Sequence, residues 1–111
     1  DRARDMIISG GVNIYPAEIE SVLLGFHGVR DCAVFGIPDE EYGEAIIALV
    51  EPVAGGGCSE HTLKAHLKEY LAHYKIPRRI EFRNDLPRED SGKIFKRKLR
   101  DEYWKDAGRK I

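Results

Sequence analysis

Ala45-Ile46-Ile47-Ala48-Leu49-Val50 is the longest uninterrupted apolar run in the chain. A strand that is apolar on both faces belongs at the centre of a sheet covered on both sides. Six residues fall far short of the roughly 20 that a membrane helix requires, and no charged-then-apolar leader opens the chain. A length of 111 residues fits one domain, whose folding removes roughly two thirds of its surface from water. Cys32 lies inside an apolar segment and Cys58 follows a glycine run, so both read as free thiols without zinc-ligand spacing. These features describe a soluble, cytoplasmic domain with no transmembrane segment.

The flanking patterns build an α+β architecture, an N-terminal β-hairpin followed by a small sheet of about three strands covered by helices. Met6-Ile7-Ile8 and Val12-Asn13-Ile14 flank Gly10-Gly11, and paired glycines supply the positive φ angles of a tight hairpin turn. Pro16 opens a helix carrying Ile19, Val22, Leu23 and Phe26, which Gly28 closes. Asp31 to Ile37 alternates as a strand and pairs with Ala45 to Val50 to form the sheet centre, with residues 38–43 as a polar connection. Ser59 is the expected N-cap of a helix with Leu63, Leu67, Tyr70, Leu71 and Tyr74 inward. Arg79 to Arg83 reads as a third strand. The final helix, about Phe95 to Ala107, turns Phe95, Leu99, Tyr103 and Trp104 to the core.

Charge divides unevenly along this order. Residues 1–74 hold 5 Lys/Arg against 12 Asp/Glu, a balance of −7, whereas residues 75–111 hold 13 against 7, a balance of +6. A basic third reads either as a solvated face or as a surface for phosphates. Two segments carry candidate chemistry. The glycine hairpin lets a ligand approach backbone closely, and Leu86-Pro87-Arg88-Glu89-Asp90-Ser91-Gly92-Lys93-Ile94 is a mobile loop presenting one lysine ahead of a helix. Gly92-Lys93 is not a P-loop, because position 87 is Pro and no Ser or Thr follows the lysine. His61, His66 and His73 do not have metal-ligand spacing.

Taken together, Asp1 to Glu20 resembles the crossover motif of adenylate-forming enzymes, the superfamily of acyl-CoA synthetases, peptide-synthetase adenylation domains and luciferases. Gly36-Ile37-Pro38-Asp39 with Gly43-Glu44 is similar to the family's middle motif. Pro87 to Ile94, followed by Lys96, Arg97, Leu99 and Arg100, resembles its closing motif. The resemblance implies a C-terminal lid, residues 6–111, joined through a hinge segment, residues 1–5, to a large N-terminal domain. In such enzymes the lid takes one orientation to make an acyl-adenylate from acid and ATP and another to pass the acyl group to a thiol.

By that resemblance Lys93 is the adenylation lysine, reaching the carboxylate and the ATP α-phosphate, and its exposure makes it a candidate for reversible acetylation. Arg2 contacts the nucleotide ribose, and Arg4 takes the hinge position, where relatives usually carry Lys or Asp. Ser9, Gly10 and Gly11 line the pantetheine channel, with Tyr42 and Tyr74 near the CoA adenine. ATP and CoA are then substrates, with Mg2+ accompanying ATP on the large domain and no metal ligands in this chain. The expected function is that of an AMP-forming acyl-CoA ligase in which this domain alone is inactive. Its partners are the large domain, a small carboxylic acid, ATP and CoA, and not nucleic acid. The short continuation past Arg100 favours a free-standing ligase. The alternatives are the lid of a peptide-synthetase adenylation domain and a non-catalytic polyanion-binding module, the latter marked by steeply salt-dependent binding.

Overall fold

The computed structural model describes residues 5–109. Strands β1 (Ile7–Ser9) and β2 (Val12–Ile14) pair as an antiparallel hairpin with Ser9 opposite Val12. Gly10 and Gly11 fill its two-residue turn at φ +57° and +82°, both in the left-handed region that a type I′ hairpin demands. Helix α1 (Pro16–Leu24) follows, with Pro16 at its start. The expected run to Gly28 stops short. Gly25 donates to Val22 and Phe26 to Leu23, at 3.1 and 3.0 Å, and these tighter i→i−3 bonds end the α-helix while leaving Phe26 packed at the core margin.

Strands β3 (Val29–Asp39) and β4 (Gly43–Pro52) form a long antiparallel ribbon, longer at each end than the predicted pair. Helix α2 (Glu60–Tyr70), a 3-10 turn (His73–Lys75), strand β5 (Arg79–Phe82) and helix α3 (Lys96–Arg109) complete the order. β5 pairs in parallel with β4, giving a sheet of order β3-β4-β5. The centre is therefore β4 alone, and β3 is an edge. α2 makes the crossover between parallel neighbours, which must be longer than a hairpin turn.

All six residues from Ala45 to Val50 are buried, as an apolar run on both faces requires. Ile46, Ala48 and Val50 join Val34 and Cys32 under the hairpin, α1 and α2, together with Ile7, Ile14, Ile19, Leu23, Leu63, Leu67 and Ile80. Ala45, Ile47 and Leu49 face the other way with Ala33, Phe35 and Ile37, covered by Leu86 and by Leu99 of α3. One sheet thus serves two cores, one for each period-2 set of side chains.

The edge of β3 is closed by side chains rather than by another strand. The Val34 N–H donates to Glu20 Oε2 at 2.8 Å, the Cys32 N–H to its neighbour Asp31 Oδ1 at 2.8 Å, and the Gly36 carbonyl accepts from Trp104 Nε1 at 2.8 Å. Unpaired edge groups would otherwise invite intermolecular strand pairing.

Helix α2 begins as predicted. Ser59 Oγ accepts from the Thr62 N–H and Thr62 Oγ1 from the Ser59 N–H, a reciprocal capping box. Its expected inner face is narrower. Leu63, Leu67 and Leu71 are buried, but Tyr70 is 66% and Tyr74 54% exposed. The chain leaves the helix after Tyr70, with Leu71 extended at φ −122° and ψ 147°, so helical spacing no longer aims Tyr74 inward. In β5, Ile80 is buried and Phe82 is exposed. In α3, Tyr103 packs edge-on against Phe35 with ring centroids 5.5 Å apart, while Phe95 sits ahead of the helix, half-buried beside Arg97.

Candidate functional site

The first group of candidate residues gathers at the β3–β4 turn. The Gly10 N–H donates to the Tyr42 carbonyl at 2.9 Å, and a Cβ added at Gly10 would lie 3.2 Å from the Tyr42 ring. Around Gly11 a Cβ would meet nothing within 4 Å among the described residues beyond its chain neighbours, so the tip opens outward. Ser9 is half-buried at the base of the turn. Asp39 organises this end by accepting from the Tyr42 N–H at 2.8 Å and the Glu41 N–H at 3.2 Å. Those bonds, led by that from Tyr42 and joined by the charge of Arg78, hold its carboxyl below the usual range. Arg78 pairs with Asp39 at 2.7 Å and lies over the Tyr42 ring, adding a cation to the aromatic edge of the site.

The middle motif has a structural explanation here. At Gly36, a Cβ would collide with the Glu44 carboxylate, and Glu44 Oε2 accepts from the Ile8 N–H of the hairpin at 3.3 Å. Gly36 therefore makes room for the carboxylate that fastens the hairpin to the ribbon. Of the predicted channel residues, Ser9, Gly10, Gly11 and Tyr42 lie together. Tyr74 is not among the described residues that contact them. It is exposed, with Lys75 Nζ 5.6 Å from its ring centroid.

The second group lies at the opposite end of the ribbon. Lys93 is exposed, and among the described residues no ion pair holds its ammonium. Its backbone is bonded within the loop. The Glu89 N–H donates to the Lys93 carbonyl at 2.8 Å, Gly92 N–H to Glu89 at 2.9 Å and Phe95 N–H to Pro87 at 2.8 Å, with Arg88 bridged to Ile94. Gly92, at φ +94°, makes the bend.

Arg88, Asp31 and Glu51 were not singled out as site residues by sequence reasoning. Asp31 and Glu51 stand directly opposite each other on β3 and β4, and Arg88 bridges them, pairing with Asp31 Oδ2 at 2.6 Å and with Glu51 Oε1. The signal was present in the pattern, since Glu51 ends the apolar run and the ribbon register brings Asp31 across from it.

Arg2 and Arg4, and with them most of the expected hinge segment, lie outside the described residues. Asp5 is described and accepts from Lys96 Nζ at 2.9 Å. The same ammonium reaches Glu20 at 2.7 Å, tying the start of the domain to the start of α3. An open groove of about 1020 Å³ runs between Asp5, the Lys93 loop and α3, with Arg88, Lys96, Arg97 and Arg100 among its lining residues. His66 bonds the Val22 carbonyl at 2.9 Å within an aromatic cluster with Phe26 and Tyr70, a packing role. Among the described residues, no cluster of three or more His, Cys, Asp or Glu could hold a metal ion, and no helix is long and apolar enough to cross a membrane.

Comparison with known proteins places the fold among characterised enzymes. The chain is 46% identical over its whole length to a fatty acid–[acyl-carrier-protein] ligase, ScoC, of Streptomyces coeruleorubidus, of which it covers 21%. Over 93% of the chain it is 48% identical to the long-chain-fatty-acid–CoA ligase FadD13 of Mycobacterium tuberculosis, covering 20% of that protein. Among solved structures, a fatty acyl CoA synthetase of Mycobacterium tuberculosis superposes with a TM-score of 0.86 at 47% identity, over 93% of this chain and 20% of that one. The o-succinylbenzoate CoA synthetase (MenE) of Bacillus subtilis, in complex with its acyl-adenylate intermediate, gives 0.82 at 42%, over 91% and 20%. The chain thus spans about one fifth of the length of the relatives it matches. The model of the AMP-binding enzyme C-terminal domain matches residues 18–93, from α1 to the exposed lysine, and the chain belongs to that family.

Proposed function

We propose that this domain is the lid of an AMP-forming acyl-CoA ligase, with residues 1–5 as hinge segment and residues 6–111 as lid, working against a large N-terminal domain of the same polypeptide in the cytoplasm. The reaction joins a carboxylic acid to ATP as an acyl-adenylate with release of diphosphate. CoA then takes the acyl group and AMP leaves. The relatives' names span fatty, aromatic and other carboxylic acids, and the acid pocket belongs to the large domain.

The observation that carries this reading is the separation of the two groups. The Gly10-Gly11 tip is bonded to Tyr42 at one end of the β3–β4 ribbon, and the Lys93 loop is bonded to Asp31 and Glu51 at the other. Asp31 and Asp39 stand eight positions apart on β3, roughly 27 Å of strand. The hairpin and the Lys93 loop also cover opposite faces of the sheet. A lid that offers each group in turn to one active site suits this placement and a two-step reaction.

In the first step, attack of a carboxylate on the α-phosphate brings two anions together. The Lys93 ammonium, on a bonded loop, stabilises the charge that develops there. In the second, the tip around Ser9, Gly10 and Gly11 leaves space for the pantetheine arm, with Tyr42 beside it offered to the adenine of CoA. Arg2 and Arg4 keep the nucleotide and hinge roles implied by the family. Mg2+ accompanies ATP as part of the substrate, on the large domain.

The test uses the full-length enzyme that carries this domain. Lys93→Ala is expected to lower adenylate formation by about 10²–10³-fold while leaving transfer from a supplied acyl-adenylate to CoA near the wild-type rate. Equal loss of both half-reactions would refute the assignment.

A further inference from the structure

Asp31 and Glu51 face each other across an antiparallel pair, a placement that is unfavourable for two like charges. Glu51 is only 3% exposed, so its carboxylate cannot rely on water and needs a bonded cation. That cation comes from the lysine loop. One guanidinium nitrogen of Arg88 meets Asp31 Oδ2 at 2.6 Å and the Gly92 carbonyl at 3.2 Å, and the other meets Glu51. Glu51 Oε2 also accepts from the Leu86 N–H at 3.2 Å. The two carboxylates therefore hold the loop at Leu86, at Arg88 and, through Arg88, at the residue immediately before Lys93.

We infer that Arg88, clamped between Asp31 and Glu51, is a positioning residue that sets where the Lys93 ammonium stands when the lid delivers it to the reacting phosphate. The inference rests on the reading of Lys93 as the adenylation lysine. The chemistry follows from geometry. A long side chain already has four rotatable bonds, and only a fixed backbone origin keeps its tip within catalytic distance. The planar fork of arginine suits this role because it engages both carboxylates and a carbonyl at once, which an ammonium on a flexible stem does less well. The clamp sits at the end of the ribbon away from Tyr42, so it should act on adenylation and not on thioester formation.

The experiment measures both half-reactions in the full-length enzyme, as acid-dependent ATP–diphosphate exchange and as transfer from a supplied acyl-adenylate to CoA. Backbone hydrogen exchange is followed in residues 86–95. Arg88→Met is expected to lower the adenylation kcat by about 10²-fold, the loss that a displacement near 1 Å produces. Its KM for ATP and its transfer rate should stay within about twofold, with faster exchange at Gly92 and Lys93 and unchanged exchange in β4. Should the buried Glu51 prevent that variant from folding, Arg88→Lys retains the charge. It should fold, transfer at the normal rate and lose about tenfold in adenylation.

Wild-type adenylation in Arg88→Lys beside a crippled Lys93→Ala overturns the clamp and leaves the reading of Lys93 standing. So does an equal loss of both half-reactions in Arg88→Lys. A full adenylation rate in Lys93→Ala overturns both together.

Discussion

Substituting Gly11→Leu separates the backbone function of the hairpin from its proposed part in acyl transfer. Gly11 sits at φ +82° with, among the described residues other than its chain neighbours, no atom within 4 Å of an added Cβ. A leucine there meets no internal clash, and its cost to folding is the left-handed backbone alone, about 1–2 kcal/mol. Each kcal/mol lowers Tm by roughly 4–8 °C in a domain of this size, leaving it folded at assay temperature, given typical stabilities of about 5–15 kcal/mol. Activity should respond differently. If the pantetheine arm passes the open side of the tip, four added carbons obstruct it, and thioester formation should fall by at least about 10²-fold, equivalent to about 2.7 kcal/mol of barrier. Adenylate formation, which uses the other end of the ribbon, should stay within about twofold of the wild-type rate at this small barrier change. The assay is single-turnover acyl transfer to CoA from preformed adenylate, with Tm recorded on the same preparation. Gly11→Asn serves as the control, because Asn accepts the left-handed region more readily and carries a smaller side chain. Normal transfer in a folded Gly11→Leu enzyme would refute the reasoning, as would losses that track stability across the two variants rather than side-chain size.

Two further expectations concern stability and thiol chemistry. Ser59→Ala removes the oxygen that accepts from Thr62 at 3.1 Å and should cost about 1 kcal/mol, read as a lower Tm, whereas Ser59→Asp should keep most of it. Burial, reinforced by Glu20 and Asp31, pushes the Cys32 thiol from its ordinary 9.0 up to about 12. At pH 8 a thiol reagent should therefore modify the less buried Cys58 well before Cys32. The raised value stabilises the fold fully below the unfolded pKa. That contribution is lost as pH climbs from about 9.0 toward about 12, so Cys32→Ala should flatten the alkaline fall in Tm.

Short-range rules accounted for much of the fold. Two glycines between alternating apolar triplets specify a type I′ hairpin because few other residues accept φ above zero twice in succession. Ser59 before a helical apolar stripe specifies a cap. The six-residue apolar run specifies a doubly covered strand. The misreadings arose where a local pattern continued past the end of its element. Phe26 and Tyr74 keep helical spacing, but the chain tightens after Leu24 and becomes extended at Leu71; Gly25 at the first point is a stop signal that the spacing of Phe26 overrode, whereas no residue at the second announces the change.

The amino-acid sequence by itself determined the elements, the family and the identity of Lys93 and Gly10-Gly11 as the residues to watch. All of these rest on neighbours within a few positions or on motifs read in order. Tertiary structure alone decided that the two motifs stand at opposite ends and on opposite faces of one ribbon, and that Arg88 is gripped by Asp31 and Glu51, partners 57 and 37 residues away. Such pairings depend on strand register and on which face a loop crosses. Both are set by how whole elements bury their apolar surfaces against one another, and no local spacing encodes them.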